Sequence, residues 1–140
     1  MTRAEARDLI SARILSAWTG AGEPASTIAW ENTAFQPGPG PWARPSIQFA
    51  DTEDATLDGA MFVRSGIVAV QVFTPMDVGP GASDILVQAM EDAFKGALAD
   101  GIHYMRARSR YVGRAESEEG EDTHFQTNVL VDFDFTEVLP

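Results

Sequence analysis

The chain has two histidines, His103 and His124, the residue type most suited to proton transfer near neutral pH. They fall near the ends of two alternating stretches. A hairpin that brought them together would create a paired-imidazole metal site; strand-end histidines with no ligand role are the commoner arrangement. With no cysteine, a thiolate nucleophile, a thiolate metal site and a disulfide are all excluded. Neither H-E-x-x-H, a P-loop, a dinucleotide fingerprint nor a G-x-S-x-G elbow is present. "GPGPW" and "GPGAS" have G-x-G spacing, but proline fills the middle position and no G-K-[ST] follows. The carboxylate runs Asp51/Glu53/Asp54 and Glu118/Glu119/Glu121/Asp122 lack the spaced D-x-D-x-D-G pattern of a calcium loop and read as solvated loop charge. No catalytic site, metal site or cofactor motif is visible in these residues.

Arg106, Arg108 and Arg110 are spaced two apart. On a strand they would form a basic stripe. Two readings stand. The stripe contacts an acidic neighbour, such as Glu118 and Glu119 of another copy. Alternatively it pairs within the chain with Asp132 and Asp134 across a hairpin, each exposed pair contributing ~0.2–1 kcal/mol. The formal net charge of −11 opposes wrapping of DNA or RNA, though it suits a wall past which DNA slides. No apolar run approaches the ~20 residues that span a bilayer, and the N-terminus lacks a signal-peptide h-region. A soluble protein of the reducing cytoplasm, or one assembled there, is expected.

The 140 residues suit one domain, 1–140, and 44% of them are hydrophobic, which is globular composition. Thr2 and Glu5 have capping-box spacing ahead of a helical stripe of Ala6, Leu9, Ile10, Ile14, Ala17 and Trp18, ended by Gly20 and Gly22. Thr27–Glu31 reads as a short strand. Pro37, Pro39, Pro41 and Pro45 then keep the backbone out of any sheet interior. Trp42–Phe49 resumes as a strand, at an edge or bulge because of Pro45, and residues 51–59 read as a loop, either wholly or with a brief strand. Met61–Phe73 is a strong strand, interrupted at Ser65-Gly66 by a bulge or tight turn. After a loop over 74–81, Ser83 caps a second helix with Ile85, Leu86, Ala89, Met90, Ala93, Phe94, Ala97 and Leu98 on one face, terminated by Gly101. His103–Val112 and His124–Phe135 form a hairpin around the acidic loop 113–122. The sum is α+β: a mostly antiparallel sheet with two amphipathic helices on one face.

The order of these features resembles the tail-terminator and tail-completion proteins of long-tailed phages and of gene transfer agents. The resemblance spans nearly the whole chain. It rests on "AWENTAFQPGPGPWARPSI" (29–47), "VRSGIVAVQVFTP" (63–75), "GPGASDILVQAMEDAF" (79–94) and the closing "VLVDFDF" (129–135). W-E-N…F-x-P and R-x-G-x-x-x-V-x-V-F-x-P are its most distinctive parts. The resemblance implies a fold like that of the tail-tube subunit. It also implies a non-enzymatic homo-oligomer, a hexameric ring on the head-proximal end of the tube within a virion or phage-like particle. The ring's partners would be the tail tube protein and the head–tail connector or neck protein, with DNA only as a passenger through the lumen. On that reading the 33–45 loop packs on an adjacent subunit or on the tube. Trp30, Phe35, Pro39, Trp42 and Arg44 supply the contact; the alternative is that the tryptophans belong to the core. Three competing roles remain: a neck protein, a small enzyme using the histidines, and a binding module that adds a strand beside Pro45.

Overall fold

The computed structural model describes residues 1–54, 59–76, 79–115 and 124–138. Glu118 and Glu119 lie outside them. A long helix, α1 (Arg3–Gly20), is followed by a single 3-10 turn (Ala25–Thr27) and a loop to β1 (Trp42–Asp54). Then come β2 (Met61–Pro75), α2 (Gly81–Phe94), the two-residue β3 (Leu98–Ala99), β4 (Ile102–Ala115) and β5 (His124–Val138). The strands form one antiparallel sheet in the order β1-β2-β5-β4-β3. Both helices cover the same face, as the α+β reading requires.

The N-terminal helix follows its sequence signals. The Thr2 hydroxyl accepts the Glu5 amide at 3.1 Å, which satisfies one of the free donors of the first turn. Ala6, Ile10, Ile14 and Trp18 are buried, and Gly22 leaves the helix at φ +97°. Trp18 anchors the packing: it is fully buried and its indole N–H donates to Thr27 Oγ1 at 2.8 Å. Against α1 and α2 lie Val68, Val70 and Val72 of β2 and Val129, Val131, Phe133 and Phe135 of β5. These are alternate residues of two central strands, so one side of each strand is apolar and faces the helices. Burial pushes the Tyr104 phenol up to about 12 against the opposing pull of the Arg13 guanidinium, with Asp100 adding to the rise.

Several local expectations are corrected. Residues 27–31 are not a strand. The Thr27 amide donates to the Pro24 carbonyl oxygen at 3.1 Å to close the 3-10 turn, and its hydroxyl donates to the same oxygen; the backbone then meets β1 in a single parallel bridge, Ile28↔Ala43. Pro45, the next outward-facing residue of β1, has no N–H with which to extend that pairing. Of the stretch read as a loop or a loop with a brief strand, residues 51–54 extend β1 as far as Asp54. β2 is unbroken at Ser65-Gly66, and the bulge lies in the facing strand, where Ala50 and Asp51 oppose Ser65 alone. Gly66 is required for another reason. A Cβ there would collide with the Gln48 carbonyl oxygen and come within 2.6 Å of Phe133 Cζ, because Phe49 and Phe133, its partners on either side, stack edge to face across it at 5.7 Å.

The second helix begins at Gly81, with Pro80 and not Ser83 at its N-cap. Ser83 is instead buried with its hydroxyl 3.3 Å from Thr127 Oγ1. The buried side of α2 is Ser83, Leu86, Val87, Met90 and Phe94, while Ile85 is exposed. The helix stops at Phe94 because Gly96 takes φ +64°. Ala97 and Leu98 therefore fall beyond it. Gly101 is not a helix stop: Asp100 (φ +56°) and Gly101 (φ +83°) form the two-residue turn of a β3–β4 hairpin. Two positive φ values match the turn that suits strand twist best. β4 also runs on through Gly113 to Ala115.

Candidate interaction surfaces

The hairpin places the two histidines apart. His103 pairs with Asp134, whereas His124 pairs with Ala115; ten register positions along β5 put them roughly 33 Å apart. Among the described residues no group of three His, Asp or Glu side chains is placed to hold a metal ion. His124 has a different task. Its Nε2 lies 3.1 Å from the Gly40 carbonyl oxygen and its ring meets Trp42 edge-on at 6.2 Å, so it ties the proline–glycine loop to the start of β5.

That loop closes one end of the sheet face opposite the helices. Trp42 is buried, stacked on Phe73 at 3.9 Å and 9°, with Phe35 at 5.3 Å on its other flank and Ala29 completing the cluster. The Arg44 guanidinium lies 5.1 Å from the Trp42 ring. The Trp42 indole N–H is buried without a hydrogen-bond partner among the described residues, which offsets part of what its burial contributes. Pro37 and Pro39 are exposed, and Trp30 is half-buried. Of the five loop residues suggested as contacts, Trp42 is thus spent on its own chain and Phe35 largely so. Pro39 and Arg44 face solvent.

The W-E-N stretch has a structural meaning that the sequence alone did not reveal. Trp30 packs against the main core. Asn32 takes the left-handed turn at φ +55°, a conformation asparagine tolerates. Glu31 Oε1 accepts the Ile47 amide at 2.6 Å and the Arg7 guanidinium at 3.2 Å. β1 is an edge strand, and its outward groups from Ala43 to Ile47 are already used. Ala43 O accepts the Ala29 amide at 2.7 Å, Pro45 has no N–H, and Ile47 N–H is held by Glu31. Strand addition beside Pro45 is blocked by the chain itself.

Arg106, Arg108 and Arg110 all lie exposed on β4. A bulge between Met105 and Arg108 puts Arg106 at φ +41°, an unfavourable conformation for a side chain of this size. Arg106 and Arg108 both reach Asp132, at 3.3 and 3.2 Å. Arg110 faces Asn128 and makes no ion pair among the described residues. Two cations thus share one carboxylate, and the third arginine has none. His103 meets Asp134 at 3.9 Å. Beyond the aromatic cluster the open sheet face carries Gln48, Gln71, Asn128 and Asp132 around Ile67, Ala69 and Leu130. On the helix side, a groove of ≈ 420 Å³ opens between Met76, Pro80, Tyr111 and Phe125.

The comparisons with known proteins decide the family. A family model described as phage tail terminator protein matches residues 5–132. The chain belongs to the phage tail terminator family. Its members are structural proteins of phage tails, which is the coarse role of this chain. No curated protein sequence matches. Two solved structures show the same fold. One is 22% identical with a TM-score of 0.68, covering 100% of this chain and 99% of the other. The second is a chain of the virion of a native gene transfer agent particle, 18% identical with a TM-score of 0.52, covering 88% of this chain and 84% of that one.

Proposed function

We propose that this tail protein forms a homo-oligomeric ring, a hexamer, on the head-proximal end of the tail tube. There it ends tube growth and presents the surface for head attachment. It acts as a structural part of the particle and not as an enzyme. The observation that carries the reading is the family match over residues 5–132. The likeness in fold to a chain of a gene transfer agent virion supports it. The fold is compatible with it: a sheet covered by helices on one face leaves a polar second face that can border a channel. A chain of net charge −11 lets DNA pass without gripping it. The blocked β1 edge beside Pro45 removes the observation that would favour a strand-adding module.

Adding the purified chain to growing tail tubes tests the proposal. Tube length should fall as its concentration rises, with gold-labelled chain at one end of each tube. Labelled chain scattered along the tube wall, or tubes of unchanged length, would overturn it.

A further inference from the structure

The outer edge of β4 is paired only at its start, by Leu98↔His103 and Ala99↔Ile102, with one further bond from the Tyr104 amide to the Ala97 carbonyl oxygen at 2.8 Å. At the first bulge the Arg106 carbonyl oxygen accepts from the Arg108 guanidinium at 3.1 Å. From Ala107 to Val112 no backbone group on that edge bonds to another element among the described residues. These residues span about 20 Å, enough for a short added strand.

The two faces of this stretch carry different chemistry. Its register with β5 puts Arg108 opposite Leu130 and Arg110 opposite Asn128, on the open face. Ser109 is opposite the buried Val129 and Tyr111 opposite the buried Thr127, on the helix face. The open-face row is basic beyond its internal needs. Asp132 takes Arg106 and Arg108, and Arg110 has no carboxylate among the described residues. The helix face is small and then apolar. Ser109 leaves room beside it, and the Tyr111 ring is 55% exposed with its hydroxyl 3.3 Å from Asp84 Oδ1. Ile85, the next residue of α2, is 65% exposed.

A free edge is a template for another strand unless something forbids it. Here the arginines forbid a basic strand, and so exclude a second β4. The edge fits a strand whose side chains alternate, with carboxylates over the arginines and apolar groups beside Tyr111 and Ile85. We infer that β4 is a docking edge for an extended segment of another protein in which acidic and apolar residues alternate. Backbone bonds along 107–112 hold the segment, and the two faces select it. Charge complementarity names the occupant. A chain of net charge −11 repels acidic segments as a whole, and the arginine row is the local exception that steers one to this edge. The inference goes beyond the ring reading and does not rest on it.

A short, fluorescently labelled Glu-Val repeat peptide added to the purified full chain tests it. Anisotropy should show saturable binding that weakens with salt, and amide exchange should slow within 107–112. Arg110→Glu breaks no ion pair seen within the chain. It should weaken binding about tenfold without moving the thermal midpoint. The same variant should bind a Lys-Val repeat more tightly than the native chain does, which separates charge from misfolding. Methylating the backbone nitrogens of the Glu-Val peptide should abolish binding with its charge intact. Absent binding, or protection gained elsewhere than 107–112, would overturn the inference. Undiminished binding of the methylated peptide, or equal binding of a peptide with all glutamates first and all valines after, would show adsorption by charge alone and overturn it as well. Protection of 107–112 that rises with protein concentration and no peptide would give the edge to a second copy, with the same consequence.

Discussion

Trp18 and Trp42 are both buried tryptophans, one on each face of the sheet, and they do different jobs. Trp18 projects from α1 into the core on the helix-covered face, fully buried, with its indole N–H satisfied by Thr27. Trp42 lies on the face without helices, in a cluster of Ala29, Phe35 and Phe73, with its N–H unpartnered among the described residues. The first belongs to the core that makes the domain fold. The second fixes a loop. One face of the sheet is therefore closed along its length, whereas the other is closed at one end and left polar beyond it, where Gln71, Asn128 and Asp132 face outward.

Substitutions that separate the two tryptophans should sharpen this contrast. Trp18→Ala should cost about 3–5 kcal/mol and lower the midpoint of a single cooperative unfolding transition in urea. Trp42→Ala should cost less, about 2 kcal/mol, since the change also removes an unsatisfied buried donor. Its main effect should be faster amide exchange over residues 29–43 with the helices still protected. Equal losses, or global loss of protection in Trp42→Ala, would break the distinction. Glu31→Ala should cost about 1 kcal/mol through the uncapped Ile47 amide, and little through the exposed Arg7 pair. Light scattering should show concentration-dependent self-association as the β1 edge opens.

Arg106→Gly should be neutral to about 1 kcal/mol stabilising in thermal melts, because relief of the left-handed backbone outweighs the added chain entropy of glycine. Tyr104 supplies the pH test. Its folded pKa is raised, so the stability it contributes is complete below pH 10 and is lost as pH rises through about 12. Tyr104→Phe should flatten that alkaline loss and leave unfolding at pH 7 near the native value.

The regular parts of the fold were readable because their signals are local. Thr2 and Glu5 announce α1, and alternation over 124–135 announces β5. The misreadings share a cause: the deciding contact is distant in sequence. Gly66 looked like a break in β2, yet it is small because Gln48 and Phe133 press on it from the two neighbouring strands. Glu31 looked like part of a strand, yet its carboxylate caps an amide sixteen residues later. The β3–β4 hairpin did carry a local signal, Asp100-Gly101, which the longer helical stripe of α2 outweighed. For the candidate surfaces, the sequence paired Arg106 and Arg108 with Asp132 as one of two readings and named the aromatic residues of the loop. It could not show that Trp42 turns inward, because exposure depends on Phe73 and His124, which lie far along the chain.

The central claim is that this chain stops the tail tube. Deleting its gene in the phage or particle-producing host and measuring tails by electron microscopy tests it most directly. The account predicts over-long tails of variable length without heads. Tails of normal length beside filled, unattached heads would place the protein in the neck instead and contradict it.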